Sequence, residues 1–250
     1  MEKRFFVEKD KISNSVITLD GDEHMHLSKV LRLRVGDNVE CFYDNSDILK
    51  CKIKEISKNC SILEVVESEA CQQNPNLNIS LFMALPKLDK LELITQKVTE
   101  LGIGEVVPFS SKFCVAKENS NKIERLKKIV VSACKQCGRT KLVEINNTIK
   151  FDKMLEIVEN YDLVVFANEC EQSKTLKEVL TKQKQVLAQK LQNNSLKVAY
   201  IVGSEGGFDK DEIEKISKIA HSITLGKRIL RAETAGIVLG GILCYELGLI

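Results

Sequence analysis

The sequence predicts an α/β protein in two parts: a small β-barrel over residues 1–71 and a larger domain with a mainly parallel sheet over residues 77–250. Three observations carry this reading. Short strand-like runs separated by turn residues occupy the first part, and from residue 77 strands alternate with helices. The length of 250 residues also suits one large domain or two smaller ones, because domains mostly span ~100–200 residues.

The N-terminal strands are expected at Arg4–Val7, Val16–Leu19, Asn38–Tyr43, Ile48–Ile56 and Ser61–Val66. Gly36-Asp37, Asp44-Asn45-Ser46 and Lys58-Asn59 supply the turns between them. His26–Leu33 fits a short helix. Small barrels of this kind commonly handle RNA, although the pattern is shared with other small barrels. Gln72–Asn76, polar and holding Pro75, reads as the linker.

In the second part Asn78–Ala84 is a strand, and Leu88, Leu91, Ile94, Val98 and Leu101 mark a helix that Gly102 can stop. A strand at Val106–Phe109 precedes a helix at Asn121–Arg139, whose apolar stripe is Ile123, Leu126, Ile129, Val130, Ala133 and Cys137. Leu163–Ala167 is an apolar run suited to a buried parallel strand. Lys174–Gln192 reads as an exposed helix, and Ala199–Gly203 and Ser222–Leu225 as further strands. The C-terminal GIVLGGILCYELGLI is 15 residues long and carries Glu246. A membrane span needs ~20 uncharged residues, so this stretch is read as a buried helix. Ligands in such sheets sit at the C-terminal ends of the strands.

Composition excludes some functions. Lys+Arg number 37 and Asp+Glu 35, a net charge of +2, which argues against wholesale polyanion binding. The charge is sorted along the chain, however. Residues 1–70 hold 11 Lys/Arg against 14 Asp/Glu, and residues 85–141 hold 12 against 6. Arg125, Lys128, Lys135 and Arg139 share one face of the central helix, which is either a solvated face or a surface for phosphates. The nine cysteines are an odd count, and the opening MEKRFFVEKDK has no apolar signal segment; both fit free thiols in the cytoplasm. Cys134 and Cys137 form one CxxC without a second Cys/His pair at ligand spacing, so core packing is expected rather than a metal. His24, His26 and His221 are likewise poor metal ligands; His26 fits barrel packing or an RNA surface.

Two loops carry the chemistry. Ala199–Val202 runs into Gly203-Ser204-Glu205-Gly206-Gly207-Phe208, and Asp209 with Glu212 has the spacing of a helix capping box. Such glycines either let a ligand approach the backbone or make a tight turn. The second loop is Leu225-Gly226-Lys227-Arg228-Ile229-Leu230-Arg231-Ala232-Glu233-Thr234-Ala235. Arg228, Arg231 and Glu233 sit among apolar neighbours, where burial is costly unless the groups pair or bind something. A plain Arg–Glu pair bracing the helix start remains the alternative.

LGKRILRAETA, GSEGGF with Glu212, ALPKLDKLELITQKVTELGI, Cys134-Lys-Gln-Cys137-Gly138-Arg139, Arg4-Phe5-Phe6-Val7, and His26 with Val30-Leu31-Arg32 and Gly36-Asp37 together resemble one family. It is the bacterial 16S ribosomal RNA uridine-N3 methyltransferase family, within the SPOUT superfamily of trefoil-knotted methyltransferases. The resemblance runs from Arg4 to the C-terminal helix. Two departures stand out: Ser204 replaces the proline of the family's usual GPEGG, and Ala167-Asn168-Glu169 is not distinctive. Related ribose methyltransferases carry GSEG-type loops, which keeps another RNA target, including a ribose 2′-hydroxyl, as an alternative. A non-catalytic RNA-binding assembly factor is the other.

The resemblance implies a PUA-like RNA-binding barrel followed by a knotted α/β methyltransferase domain, acting as a cytoplasmic homodimer on the small ribosomal subunit, with no membrane and no metal. S-adenosyl-L-methionine would lie in the knot, held by backbone groups of Ala167, Asn168, Val202, Gly203, Glu205, Gly206, Gly207, Leu225, Gly226, Ile229, Leu230, Ala232 and Thr234. The C-terminal helix, with Gly236 and Gly240 allowing close approach, would supply core and part of the dimer interface. Arg228 and Arg231 could stabilise charge developing on the uracil. Glu205 or Glu233 could accept the N3 proton, provided burial raises its pKa. RNA would meet Arg4, Arg32, Arg34, Lys87, Lys90, Arg125, Lys128, Lys135 and Arg139.

Overall fold

A computed structural model describes residues 3–71, 77–87, 89–114, 120–193 and 196–250. The expected linker Gln72–Asn76 and the first apolar position of the following helix, Leu88, lie outside the described residues. The chain divides into two units, and Val131–Leu142 groups with the N-terminal one.

The N-terminal unit contains β1 (Arg4–Phe6), β2 (Ile12–Ser13), β3 (Val16–Asp20), α1 (Gly21–Met25), β4 (Asn38–Phe42), β5 (Ile48–Ile56) and β6 (Cys60–Glu69). The six strands lie in the order β1-β4-β5-β6-β3-β2. β1 runs parallel to β4, and the other pairs are antiparallel. Residues two apart on a strand share a face, and this brings Phe5 and Val7, Ile17 and Leu19, Val39 and Cys41, Cys51 and Ile53 into one core with Leu63. β2 is a strand the alternation did not announce. Its hairpin with β3 turns on Asn14 and Ser15, both at positive φ (47° and 63°), without the glycine that usually signals such a turn. The expected helix at His26–Leu33 starts earlier, as α1, and continues as a wider π turn over His26–Val30. Asp22 and Glu23 occupy its first turn, where a helix favours acidic groups, and Leu27 and Leu33 still enter the core.

Two expected RNA contacts prove to be committed within this unit. Arg4 is 7% exposed, and its Nε and Nη2 donate to Glu40 Oε2 at 2.9 and 2.6 Å. Lys135 donates to both Glu23 oxygens at 2.8 Å and lies 5.5 Å from the Phe5 ring centre. The expected core packing holds for Cys134 but not for Cys137. Cys134 is fully buried and Cys137 exposed, because the buried stripe runs Leu126, Val130, Cys134 in four-residue steps. Burial pushes the Cys134 thiol up to about 12, leaving it a poor ligand and nucleophile. The barrel is also less acidic than its own sequence implied. The −3 of residues 1–70 is cancelled by Lys135, Arg139 and Lys141 of the added segment.

The second unit contains β7 (Leu77–Ala84), α2 (Lys90–Leu101), β8 (Glu105–Ser110), most of α3 (Ser120–Cys137), β9 (Glu144–Ile145), β10 (Ile149–Lys150), α4 (Phe151–Val158), β11 (Leu163–Ala167), α5 (Leu176–Gln192), β12 (Leu196–Val202), α6 (Lys210–Ile219), β13 (His221–Ile223) and α7 (Ala232–Glu246). Its strands are parallel throughout, in the order β10-β8-β7-β12-β11-β13, with β9 against β8. The two-residue strands and the eight-residue α4 escaped the sequence reading, because so short a stretch shows no clear period.

One face of the sheet (Phe82, Val107, Phe109, Val164, Phe166, Ile201) buries Met154 and Val158 of α4 and Ile216 of α6. The other face carries α2 and α7. Gly236 of α7 approaches Ile94 of α2 and Met83 of β7, and Gly240 approaches Tyr200 of β12. These glycines thus serve contacts inside the unit. A Cβ on Gly240 would stand 2.6 Å from Tyr200 Oη, while that hydroxyl is fully buried without a hydrogen-bond partner. Gly240→Ala is therefore expected to destabilise by about 1–3 kcal/mol through overpacking. Tyr200→Phe, which removes an unsatisfied donor, should be neutral or stabilising. The double variant should recover much of the Gly240→Ala loss in urea unfolding.

Candidate functional site

β11, β12 and β13 lie side by side and all point the same way, so their C-terminal ends release three loops into one place. These loops enclose a cavity of about 430 Å³, in the range of small-molecule sites. The first loop contributes Ala167, Asn168 and Glu169, the second Val202, Gly203, Ser204, Glu205, Gly207 and Phe208, and the third Thr224 through Arg231. Lys90, Ala232 and Ala235 complete the wall on the side of α2 and α7.

Each loop is fixed by its own hydrogen bonds. Asn168 donates its backbone N–H to Ile223 and its Nδ2 to Ser222 Oγ, both at 3.0 Å, and its Oδ1 accepts from Cys170 N. This pins the undistinguished first loop to β13. The glycine loop turns through Gly207 N–H donating to the Ser204 carbonyl at 3.0 Å. The capping box expected from the spacing is present, with Asp209 accepting from Asp211 N and Glu212 from Asp209 N, both at 3.0 Å. The other Glu212 oxygen accepts from Lys112 N at 2.9 Å, tying the loop after β8 to the same helix start. Phe208 stacks on Phe109 (6.2 Å between centres, 11° between planes) and meets Phe166 edge-on, seating the loop on the sheet.

Two residues expected at the site stand elsewhere. Gly206 does not line the cavity; a Cβ there would stand 2.8 Å from Phe113 Cβ, so this glycine serves the packing of Phe113. Thr234 is exposed on α7 outside the lining. Phe208, Lys227 and Ala235 line the cavity without having been singled out. All three already stood inside the quoted motifs, Ala235 one helical turn after Arg231. Among the cations expected to meet RNA, Arg32 and Arg34 are exposed on the barrel unit. Arg125 makes a surface pair with Glu92 at 2.8 Å, of little energetic weight.

The charged groups depart from expectation in two ways. Arg228 and Arg231 are exposed, and Ile229 between them is 82% exposed, so neither arginine is a buried charge in need of a partner, and both line the cavity where a solute can reach them. Glu205 and Glu233 are not basic carboxylates either. Burial would raise Glu205, but its own backbone N–H, the Lys90 ammonium and the Lys87 N–H outweigh this and hold it below 4.5. Burial is likewise outweighed at Glu233 by its own N–H, Lys90 and Arg231. Both are therefore ionised at neutral pH, which overturns the condition placed on either as a proton acceptor.

Residues 72–244 match a family model described as RNA methyltransferase domain, and residues 19–66 one described as RNA methyltransferase PUA domain. The chain belongs to the RNA methyltransferase family. It is 33% identical to ribosomal RNA small subunit methyltransferase E of Rickettsia conorii, over 94% of this chain and 91% of that protein. It is 30% identical to the Bacillus subtilis protein of the same name, over 98% and 96%. The fold is shared with a Legionella pneumophila methyltransferase solved with its cofactor SAM (TM-score 0.85, 24% identity, 97% of each chain). It is shared as well with ribosomal RNA small subunit methyltransferase E of Neisseria gonorrhoeae bound to S-adenosyl methionine (TM-score 0.81, 24% identity, 97% of each chain). Both parts of the expected fold class, a PUA-type barrel and an α/β methyltransferase domain, are thus present. No helix among the described residues is long and apolar enough to cross a membrane, and these residues hold no cluster of three potential metal ligands.

Because Glu205 and Glu233 lose their protons more readily in the folded chain than at the ordinary value of 4.5, the stability they contribute is complete above pH 4.5 and drains away below it. The melting temperature of Glu205→Gln should fall short of the parent's by most at neutral pH, and the gap should close in acid. Melting curves across pH check this.

Proposed function

We propose that this protein transfers a methyl group from S-adenosyl-L-methionine to N3 of a specific uridine in 16S ribosomal RNA of the small subunit. The observation that carries the reading is the cavity where three strand-end loops converge, two of them the motifs that resemble the uridine-N3 family. The relatives, named as methyltransferases of small-subunit ribosomal RNA, support the same substrate. The trefoil threading implied by the resemblance belongs to this reading, as do a cytoplasmic location and a homodimer.

The residues present fit the cofactor. Ala167, Gly203, Gly207 and Leu225–Leu230 line the cavity, and the ionised Glu205 in its wall suits a cationic sulfonium. When bound, S-adenosyl-L-methionine supplies an activated methyl group. Arg228 and Arg231, exposed at the cavity, donate to uracil oxygens and stabilise the negative charge that develops as N3 loses its proton. The loops hold acceptor and donor in line, and the target base must be unstacked to enter. Glu205 and Glu233, ionised in the cavity wall, act through their charge; the arginines make uracil N3 more acidic, and its proton passes to water.

The protein should bind S-adenosyl-L-methionine in calorimetry. Arg231→Ala should keep that binding while methyl transfer to small subunits falls by about 100-fold, as for loss of one charge-stabilising donor. Ribosomal RNA from a strain lacking the protein, mapped for missing methyl groups, should lack one uridine N3 methyl; loss of a ribose methyl instead would favour the alternative target. Absence of cofactor binding would favour the assembly factor.

The dimer rests on the outer face of α7, where Val238, Ile242 and Tyr245 are 39%, 40% and 70% exposed, with Leu93 of α2 at 44%. Apolar side chains four and three residues apart form one stripe. Ile242→Glu should convert a dimer to a monomer in sedimentation velocity with the fold retained.

A further inference from the structure

Lys90, the first residue of α2, was expected among the RNA-facing cations, but its ammonium is turned to the cavity wall. Its Nζ lies 3.0 Å from Glu205 Oε1 of the glycine loop and 3.1 Å from Glu233 Oε2 in the first turn of α7. The three side chains are 29%, 25% and 14% exposed, so water screens them only in part. Glu205 also accepts the Lys87 N–H at 3.1 and 3.3 Å. One ammonium therefore joins three separate elements at one edge of the cavity: the start of α2, the glycine loop and the start of α7.

We propose that Lys90 is a positioning residue of the cofactor site, whose charge lets two carboxylates stand together and thereby holds the glycine loop against the first turn of α7. The inference rests on the reading of the cavity as that site. The reasoning is electrostatic. Both carboxylates contact one nitrogen, so they stand within a few ångströms of each other. Without the ammonium their repulsion, weakly screened there, would either spread the loop from α7 or force one of them to take up a proton. With it, the group carries −1 rather than −2, a charge that attracts a sulfonium without pulling the loop apart. The charged groups facing Lys90 are Glu205 and Glu233, and the charge of Arg231 also acts on Glu233. Lys90 itself stays protonated, because its pairing with Glu205 and Glu233 raises it above 10.5.

Repulsion makes a prediction that loss of a packed side chain does not: removing either negative charge should repair the damage. The full-length protein and its Lys90→Gln, Lys90→Arg and Lys90→Gln/Glu233→Gln variants are compared by calorimetric titration with S-adenosyl-L-methionine and by melting temperature from pH 5 to 8.5. The parent's affinity should be flat over this range. Lys90→Gln should bind roughly tenfold more weakly at pH 8 and recover towards pH 5, as one carboxyl takes up a proton. Lys90→Arg and the double variant should bind like the parent at pH 8. Melting temperatures relative to the parent should follow the same order. An unchanged affinity for Lys90→Gln would overturn the proposal, as would a loss that neither acid nor Glu233→Gln repairs. If the parent itself binds no cofactor, the reading of the cavity fails and the melting series alone decides on Lys90: repair by acid and by the second substitution sustains the strut, and its absence overturns it.

Discussion

The molecule's site depends on one pairing: β12 inserts between β7 and β11, parallel to both. It is consecutive in sequence with neither β7 nor β8, and every residue from Val198 to Val202 is buried. A parallel strand in that place must be covered on both faces, which accounts for its nearly continuous apolar run. It also brings the glycine loop, after Val202, beside the loop after Ala167. β13 then adds on the far side of β11 and delivers the arginine loop to the same edge. A cavity formed by loops from three adjacent strand ends is a consequence of this order.

Around that edge the chemistry is ionic and the support is apolar. Phe208 anchors the glycine loop among Phe109 and Phe166, and Glu212 clamps its helix start to Lys112. Aromatic packing is insensitive to salt and pH, so the loop's seat is stable while its polar rim remains able to answer a ligand. The rim's carboxylates are ionised and its arginines exposed, so the site offers fixed negative charge within and cationic donors at its mouth.

The distribution of charge over the two units tells a different story from the total. The barrel gains three cations from the central segment, and Arg4 and Lys135 spend their charge on Glu40 and Glu23 inside the same unit. Part of what looked like a basic surface in the sequence is internal structure. A cation four positions from an apolar stripe has the same pattern whether it faces water or a carboxylate brought from elsewhere in the chain.

Periodicity was enough to place Ile48–Ile56, Leu163–Ala167 and the capped helix after Asp209, because local backbone preference and burial agree there. Motifs alone indicated the glycine and arginine loops and the class of cofactor. What the chain could not reveal by itself was set by partners distant in sequence. Lys90 meets Glu205 and Glu233 across more than a hundred residues, Gly206 yields to Phe113, and Arg4 is buried against Glu40. Protonation and exposure are properties of surroundings rather than of residues. The sequence therefore determined which groups were available and in what order they arrive, and only the tertiary structure decided which are ionised, which are sheltered and which face the cavity.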